Sequence, residues 1–224
     1  MTFDPVLLLA IWAAGLGMAA AAVAWWGVAK VGYLWLAGAV TFGIGIVPAF
    51  ESILAVAGLV LTAAGSLIAR RSRRSTAFLF GLGAVGFLVV AADLDGLVPA
   101  LAGSLALGGI TAEMLLGHWY LVDPDLPRWA LRRLDAAAGV GVVAEVVVAA
   151  ARGTLRPPFD LFGAAFYLLA ATSLLLAVGV WFSLRERGYE GVMAATGLSY
   201  LATLTMLAVA FLARTPVEDL LGLS

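Results

Sequence analysis

Five side chains of kinds that exchange protons stand close together along the chain: Glu113, His118, Tyr120, Asp135 and Glu145. His118 is the sole histidine, and both glutamates interrupt otherwise apolar runs. An ionisable group at the centre of a bilayer costs about 2.5–3.5 kcal/mol on insertion scales, so it marks either a functional path or a compensated structural pair. Low dielectric penalises the ionised form of a carboxyl unless a cation stands near. Two readings follow. In one, Glu113 and Glu145 pass protons between them; in the other, each is neutral and hydrogen-bonded and sets helix register.

Depth follows from a rise of about 1.5 Å per residue. With helix ends taken at Val122 and Leu131, His118 and Asp135 fall roughly 6 Å inside, Glu113 about 13 Å and Glu145 about 21 Å. The connection between their spans is short, so the two helices are expected to be antiparallel neighbours. A step of about 8 Å between the glutamates would suit a bridging water. Glu113 and His118, five residues apart, point about 140° away from each other, so a relay along one helix is not expected. Partners have to come from neighbouring spans. The best polar face is Thr196, Ser199, Tyr200 and Thr203, spaced i, i+3, i+4 and i+7. Such hydroxyls either bond across helices or bond back to their own carbonyls. Asp135 is expected as an entry or orienting carboxylate, or paired with Arg132 at i−3.

His118 raises the question of haem. Membrane haems commonly take two axial ligands from facing helices, and Met114 shares the helix of His118, so a resident haem is not expected. No spacing of metal ligands is present, and no metal is expected. His-Trp-Tyr at a membrane boundary offers a donor and stacking rings that suit a quinone headgroup, which stays open as a ligand. No phosphate-cradling loop, nucleophile elbow or metalloprotease helix occurs, so no catalytic residue is assigned. Cysteine is absent, which removes disulfides, thiolate metal sites and cysteine-linked lipid.

The elements that must position these groups are membrane helices. The chain has 224 residues, 63% hydrophobic and 12% charged, against about 45–50% and about 25% in soluble domains. Eight spans are expected, at roughly 5–27, 31–50, 52–69, 75–92, 98–121, 131–151, 160–183 and 190–212, as one all-α integral membrane domain over 1–224. The first apolar run has no basic segment before it and is too long for a signal-peptide core, so it is read as a retained span. Breaks fall at Lys30 with its glycines, Pro48 and Glu51, Arg70–Arg74, Asp93–Gly96, Asp123–Pro127, Gly153–Pro158 and Arg185–Gly188.

Counting Lys and Arg in alternate connections puts ten on one side (Lys30, Arg70, Arg71, Arg73, Arg74, Arg128, Arg132, Arg133, Arg185, Arg187) and three on the other (Arg152, Arg156, Arg214). The positive-inside rule then places both termini outside. Six of seven tryptophans fall near the basic ends of spans, where amphipathic rings anchor; Trp12 alone lies mid-span. Arg70, Arg71, Arg73 and Arg74 suit anionic lipid headgroups or simply fix topology. Small residues such as Gly38, Gly83 and Gly141 suit close helix packing. Eight spans divide into two fours of like direction, although no residue-level repeat is evident.

The expected role is a membrane subunit that handles protons or a quinone-like lipid. A small-solute or ion transporter coupled through the same carboxylates is the alternative, and a structural or assembly protein the third. Expected partners are the lipid bilayer and an intramembrane protein or a second copy, with no nucleic acid. The expected location is the cell membrane, of bacterial inner-membrane type.

Overall fold

The computed structural model describes residues 4–153 and 161–215, and these form eight helices and no strand. They are α1 (Pro5–Trp26), α2 (Val31–Glu51), α3 (Ile53–Ile68), α4 (Arg73–Asp95), α5 (Leu97–Trp119), α6 (Arg128–Arg152), α7 (Leu161–Ser183) and α8 (Tyr189–Leu212). Seven are long and apolar enough to cross a membrane; α3, with 16 residues, is shorter. At about 1.5 Å per residue α3 spans only about 24 Å, against about 30 Å of hydrocarbon. The protein is a multi-pass membrane protein.

Local chemistry sets the helix ends. Asp4 caps α1 by accepting from the Val6 amide at 2.8 Å, with Pro5 in the first turn. Ser52 and Ser72 cap α3 and α4 in the same way. Pro48, read from the sequence as a break, instead lies within α2, which runs on to Glu51. Its carbonyl accepts from Ser52, so the helix closes one turn beyond the proline. The turn read over Gly153–Pro158, with Arg156 and Asp160, lies outside the described residues apart from Gly153.

Neighbouring helices alternate in direction and form two four-membered rings. In the first, α1, α2, α3 and α4 pack in chain order and α4 closes on α1; α5 to α8 repeat this arrangement. The rings meet chiefly along α1 and α5. At that crossing Gly15 and Gly108 face each other so closely that a Cβ on either would collide with backbone of the other helix. The Ser104 hydroxyl, one turn away, donates to the Ile11 carbonyl at 3.0 Å. In lipid, where apolar surface supplies no drive between helices, this backbone-to-backbone approach gains dispersion and hydrogen bonding instead. Large apolar side chains turn outward, among them Phe50 and Leu67, each more than 80% exposed.

The two ends of the bundle differ in charge. At one, Lys30 pairs with Asp123 at 2.9 Å, Arg73 donates to the Gly27 carbonyl, and Arg128 donates to the Arg187 and Gly188 carbonyls at 3.1 and 2.9 Å. Arg133 sits over Trp26 and Trp129, and Arg70 over Trp35. These contacts gather the four basic connections of the sequence into one face, here called the basic end. The opposite, acidic end carries a cleft of about 510 Å³ lined by Asp4, Glu51, Ser52 and Asp93. The start of α1 and the end of α8 both lie on that side.

Replacing Gly108 with Leu is expected to abolish a monodisperse, detergent-stable fold, because the added side chain has only the α1 backbone to occupy. Gly139→Ala, where a Cβ meets nothing within 4 Å, is expected to leave the melting temperature unchanged or raise it slightly, as helix propensity favours Ala over Gly by roughly 0.5–1 kcal/mol. Thermal unfolding followed by size-exclusion chromatography distinguishes the two.

Candidate functional site

Three consecutive residues of α5 are bonded to three different helices. The Trp12 indole on α1 donates to Thr111 Oγ1 at 2.9 Å, and the Tyr33 hydroxyl on α2 donates to the Ala112 carbonyl at 3.4 Å. Ser199 on α8 bonds Glu113 Oε2. One residue further, Thr203 Oγ1 lies 3.7 Å from the Met114 sulfur. The helix facing Glu113 is therefore α8, with α2 beside it. Glu113 is fully buried, and its Oε1 has no hydrogen-bond partner.

Asp135 on α6 shares this environment. It is 3% exposed and its Oδ1 also lacks a partner, and its neighbour Leu134 packs on Gly109, one turn of α5 from Glu113. Glu113 stands six residues before the end of α5 and Asp135 seven after the start of α6, so both lie about 9–10 Å inside the basic end. No cation pairs with either among the described residues. Two buried carboxyls without a counter-charge are costly, because each ion loses hydration and repels the other.

Ser199 adds a constraint on protons. Its Oγ stands within hydrogen-bond distance of both Glu113 Oε2 and the Ala195 carbonyl, the latter at 2.8 Å. A hydroxyl has one proton to donate. With Glu113 ionised, Ser199 donates to it or to Ala195, and the other acceptor goes without. With Glu113 protonated, the carboxyl donates to Ser199 and Ser199 donates to Ala195, so all three are satisfied. The hydrogen-bond pattern thus changes with one proton.

Glu145 belongs to a different site. Arg214, just past α8, grips it with two bonds, Nη2 to Oε1 at 2.7 Å and Nη1 to Oε2 at 3.2 Å. Arg214 also donates to the carbonyls of Pro99 and Ala210, at 2.8 and 3.1 Å. Its Nε lies 3.0 Å from Asp95 Oδ2, an ion pair without hydrogen-bond alignment. Arg152 closes the set on Asp95 Oδ1 at 2.5 Å. Gly103 makes room: a Cβ there would stand 2.8 Å from Glu145 Oε1. Ends of α4, α5, α6 and α8 are joined by this network near the acidic end, and its four charges balance.

The two glutamates do not share a cavity. Glu113 lies ten residues beyond Gly103 on α5, about 15 Å along the axis. Between them Ala106, Leu107 and Ile110 of α5 and Ala138, Gly141 and Val142 of α6 are all buried, with Gly141 packed on Ala106 and Gly109 on Ala138. The shorter step expected from the sequence came from helix ends set three residues away: α5 stops at Trp119 and α6 starts at Arg128.

Of the other expected residues, His118 is exposed at the basic end, turned away from Glu113 as its spacing implied. Tyr120 is buried against Tyr189, ring centroids 6.1 Å apart. Asp135 does not pair with Arg132, whose guanidinium lies over Trp181 instead. In the polar stripe Thr196, Ser199 and Thr203 are buried, whereas Tyr200 is 48% exposed. Thr196 and Thr203 bond back to the carbonyls of Val192 and Ser199, leaving Ser199 as the residue that reaches Glu113. Arg71 and Arg74 are exposed beside Arg70 and Arg73. Tyr33, Asp95, Arg152 and Arg214 were not expected at a site. Their signal was faint: Arg214 and Asp95 look like ordinary loop charges, and Tyr33 like an interfacial ring. No group of three or more His, Cys, Asp or Glu suited to a metal ion occurs among the described residues.

Arg214→Gln is expected to destabilise the fold by about 3–5 kcal/mol, since it strands buried Glu145 without a partner. Arg152→Ala, at a half-exposed pair, should cost about 0–1 kcal/mol. Adding Glu145→Gln to Arg214→Gln should recover part of the loss in a thermal-melt series. Comparison of the chain with protein-family models, curated proteins and solved structures finds no match, so the geometry alone carries the functional reading.

Proposed function

We propose that this membrane protein exchanges protons at a buried carboxyl pair, Glu113 and Asp135, entered from its basic end. The observation that carries the reading is the contrast between two buried charge sites. Glu145 is fully compensated by Arg214, as a structural carboxylate is. Among the described residues Glu113 and Asp135 have no cation, and each keeps an oxygen without a donor. Membrane proteins retain uncompensated intramembrane carboxyls where a proton or ion path needs them.

Glu113 is the proton carrier, Ser199 the hydroxyl that turns with its protonation, and Asp135 the partner carboxyl on α6. Tyr33 bounds the site from α2. Glu145 is removed from the path and given a structural role. With the basic end cytoplasmic by the positive-inside rule, the site is reached from inside a cell membrane of bacterial inner-membrane type, as a membrane subunit that takes up or delivers protons.

A proton-coupled transporter is the second reading, and one feature favours it. The site draws on both rings, Tyr33 from the first and Glu113, Asp135 and Ser199 from the second. The opposite end is held shut across the rings by Asp95 with Arg152 and Arg214. A carrier coupled through protons would combine an intramembrane carboxyl with one closed end.

Purified protein in liposomes with a trapped pH dye tests the proposal under an imposed potassium-diffusion potential. The Glu113→Gln and Asp135→Asn variants are expected to slow proton entry by about a hundredfold, the low end of what a positioned proton-transfer group contributes. Ser199→Ala should give a smaller loss. Equal rates for wild type and the Glu113→Gln, Asp135→Asn double variant would sink the reading.

A further inference from the structure

On the outer surface of the first ring, α2 and α3 enclose a groove of about 430 Å³. Phe42 of α2 and Val56, Leu59, Val60, Ala63, Ala64 and Leu67 of α3 line it, with no polar side chain. The α3 residues repeat at i, i+3, i+4, i+7, i+8 and i+11, so one continuous helix face forms the wall. Eleven steps from Val56 to Leu67 make it about 16 Å long. One leaflet of a hydrocarbon core about 30 Å thick is about 15 Å deep. The groove has the length of a single leaflet's acyl chain.

Its end at Leu67 leads to the most basic turn of the chain. Arg70 lies over the Trp35 ring at 4.5 Å, and Trp35 donates its indole N–H to the Ser66 carbonyl at 2.8 Å, tying α2 to the end of α3. Phe42 follows Trp35 by seven residues, two helical turns along the same face of α2. Arg71 and Arg74 are exposed and make no hydrogen bond or ion pair among the described residues. Arg73 differs, being committed to the Gly27 carbonyl. α3 is shorter than the other seven helices, and a short span draws its flanking residues towards the hydrocarbon boundary, where lipid phosphates lie. A tryptophan, a stacked arginine and two free arginines sit above an apolar channel one leaflet deep.

We propose that the α2–α3 groove is a binding site for an anionic phospholipid, one acyl chain lying along α3 and the phosphate held by Arg70, Arg71 and Arg74. Charge complementarity selects an acidic headgroup over a zwitterionic one, and the apolar wall selects a lipid over a free phosphate. The site lies on the first ring's outer face, apart from Glu113, so it stands or falls independently of proton exchange.

Native mass spectrometry of the detergent-solubilised full chain, titrated with phosphatidylglycerol or phosphatidylcholine of equal chain length, tests this. One phosphatidylglycerol per chain is expected to survive detergent activation at occupancies where phosphatidylcholine is lost. Arg71→Gln and Arg74→Gln should each weaken phosphatidylglycerol about fivefold, from the attraction of roughly 1 kcal/mol per basic residue near an anionic surface. Phosphatidylcholine binding should not change. Ala64→Phe, which fills the groove, should reduce both lipids while the melting temperature of the lipid-free protein holds. Equal retention of the two lipids by wild type, or unchanged preference in the arginine variants, would overturn the proposal. So would a lipid-free dimer that Ala64→Phe converts to monomer, because the groove would then be covered by a second copy.

Discussion

Backbone meets backbone where α1 crosses α5, and the remainder of the bundle is arranged around that contact. Gly15 and Gly108 permit an approach that any other residue would block, and the bond from Ser104 to Ile11 holds it. Lipid offers apolar side chains as good an environment as another helix does, so close approach and internal hydrogen bonds have to supply the cohesion. Each ring closes on itself through α1 or α5. Joining those two helices joins the rings, and it sets the Thr111–Glu113 segment within reach of α1, α2 and α8.

With α5 so placed, the bundle has two layers where charge is buried, and they are built oppositely. Near the acidic end, Arg214 holds Glu145 and reaches Asp95, with Arg152 completing neutrality. Near the basic end, Glu113 and Asp135 are both buried, Glu113 with a serine hydroxyl on it and neither with a cation among the described residues. Compensation makes the first a fastening between rings. The second has no such compensation among the described residues, and the proposal of proton exchange rests on that difference. Packed apolar residues of α5 and α6 separate the layers, so the compensated and uncompensated carboxyls are held apart in one bundle.

Much of the architecture was legible in the chain. Long apolar runs, charged turns and the lopsided arginine count point to eight alternating helices, because the bilayer tolerates few other ways of satisfying a backbone. Trp25, Trp35 and Trp129 are exposed at the basic end, as amphipathic anchors are. The limits of that reading are particular. Pro48 was read as a break yet sits in the last turn of α2. The helix ends at Val122 and Leu131 were each three residues off, which brought Glu113 and Glu145 falsely close. The division into two fours, visible only as a count, corresponds to two closed rings.

Sequence alone determined which groups were expensive to bury, since burial cost belongs to residue type and to the apolar run around it; Glu113 and Glu145 were identifiable on that ground, and Ser199 by its place in a polar stripe of helical spacing. It did not determine which carboxyl had a partner. Arg214 is 69 residues from Glu145 along the chain, and Ser199 is 86 from Glu113. Periodicity describes one helix at a time and carries nothing about which neighbour faces it. Only the packing of α8 against α5 and α6 decided that Glu145 is neutralised, that Glu113 meets a hydroxyl, and that the glutamates, two candidates of the same kind in sequence, have different surroundings.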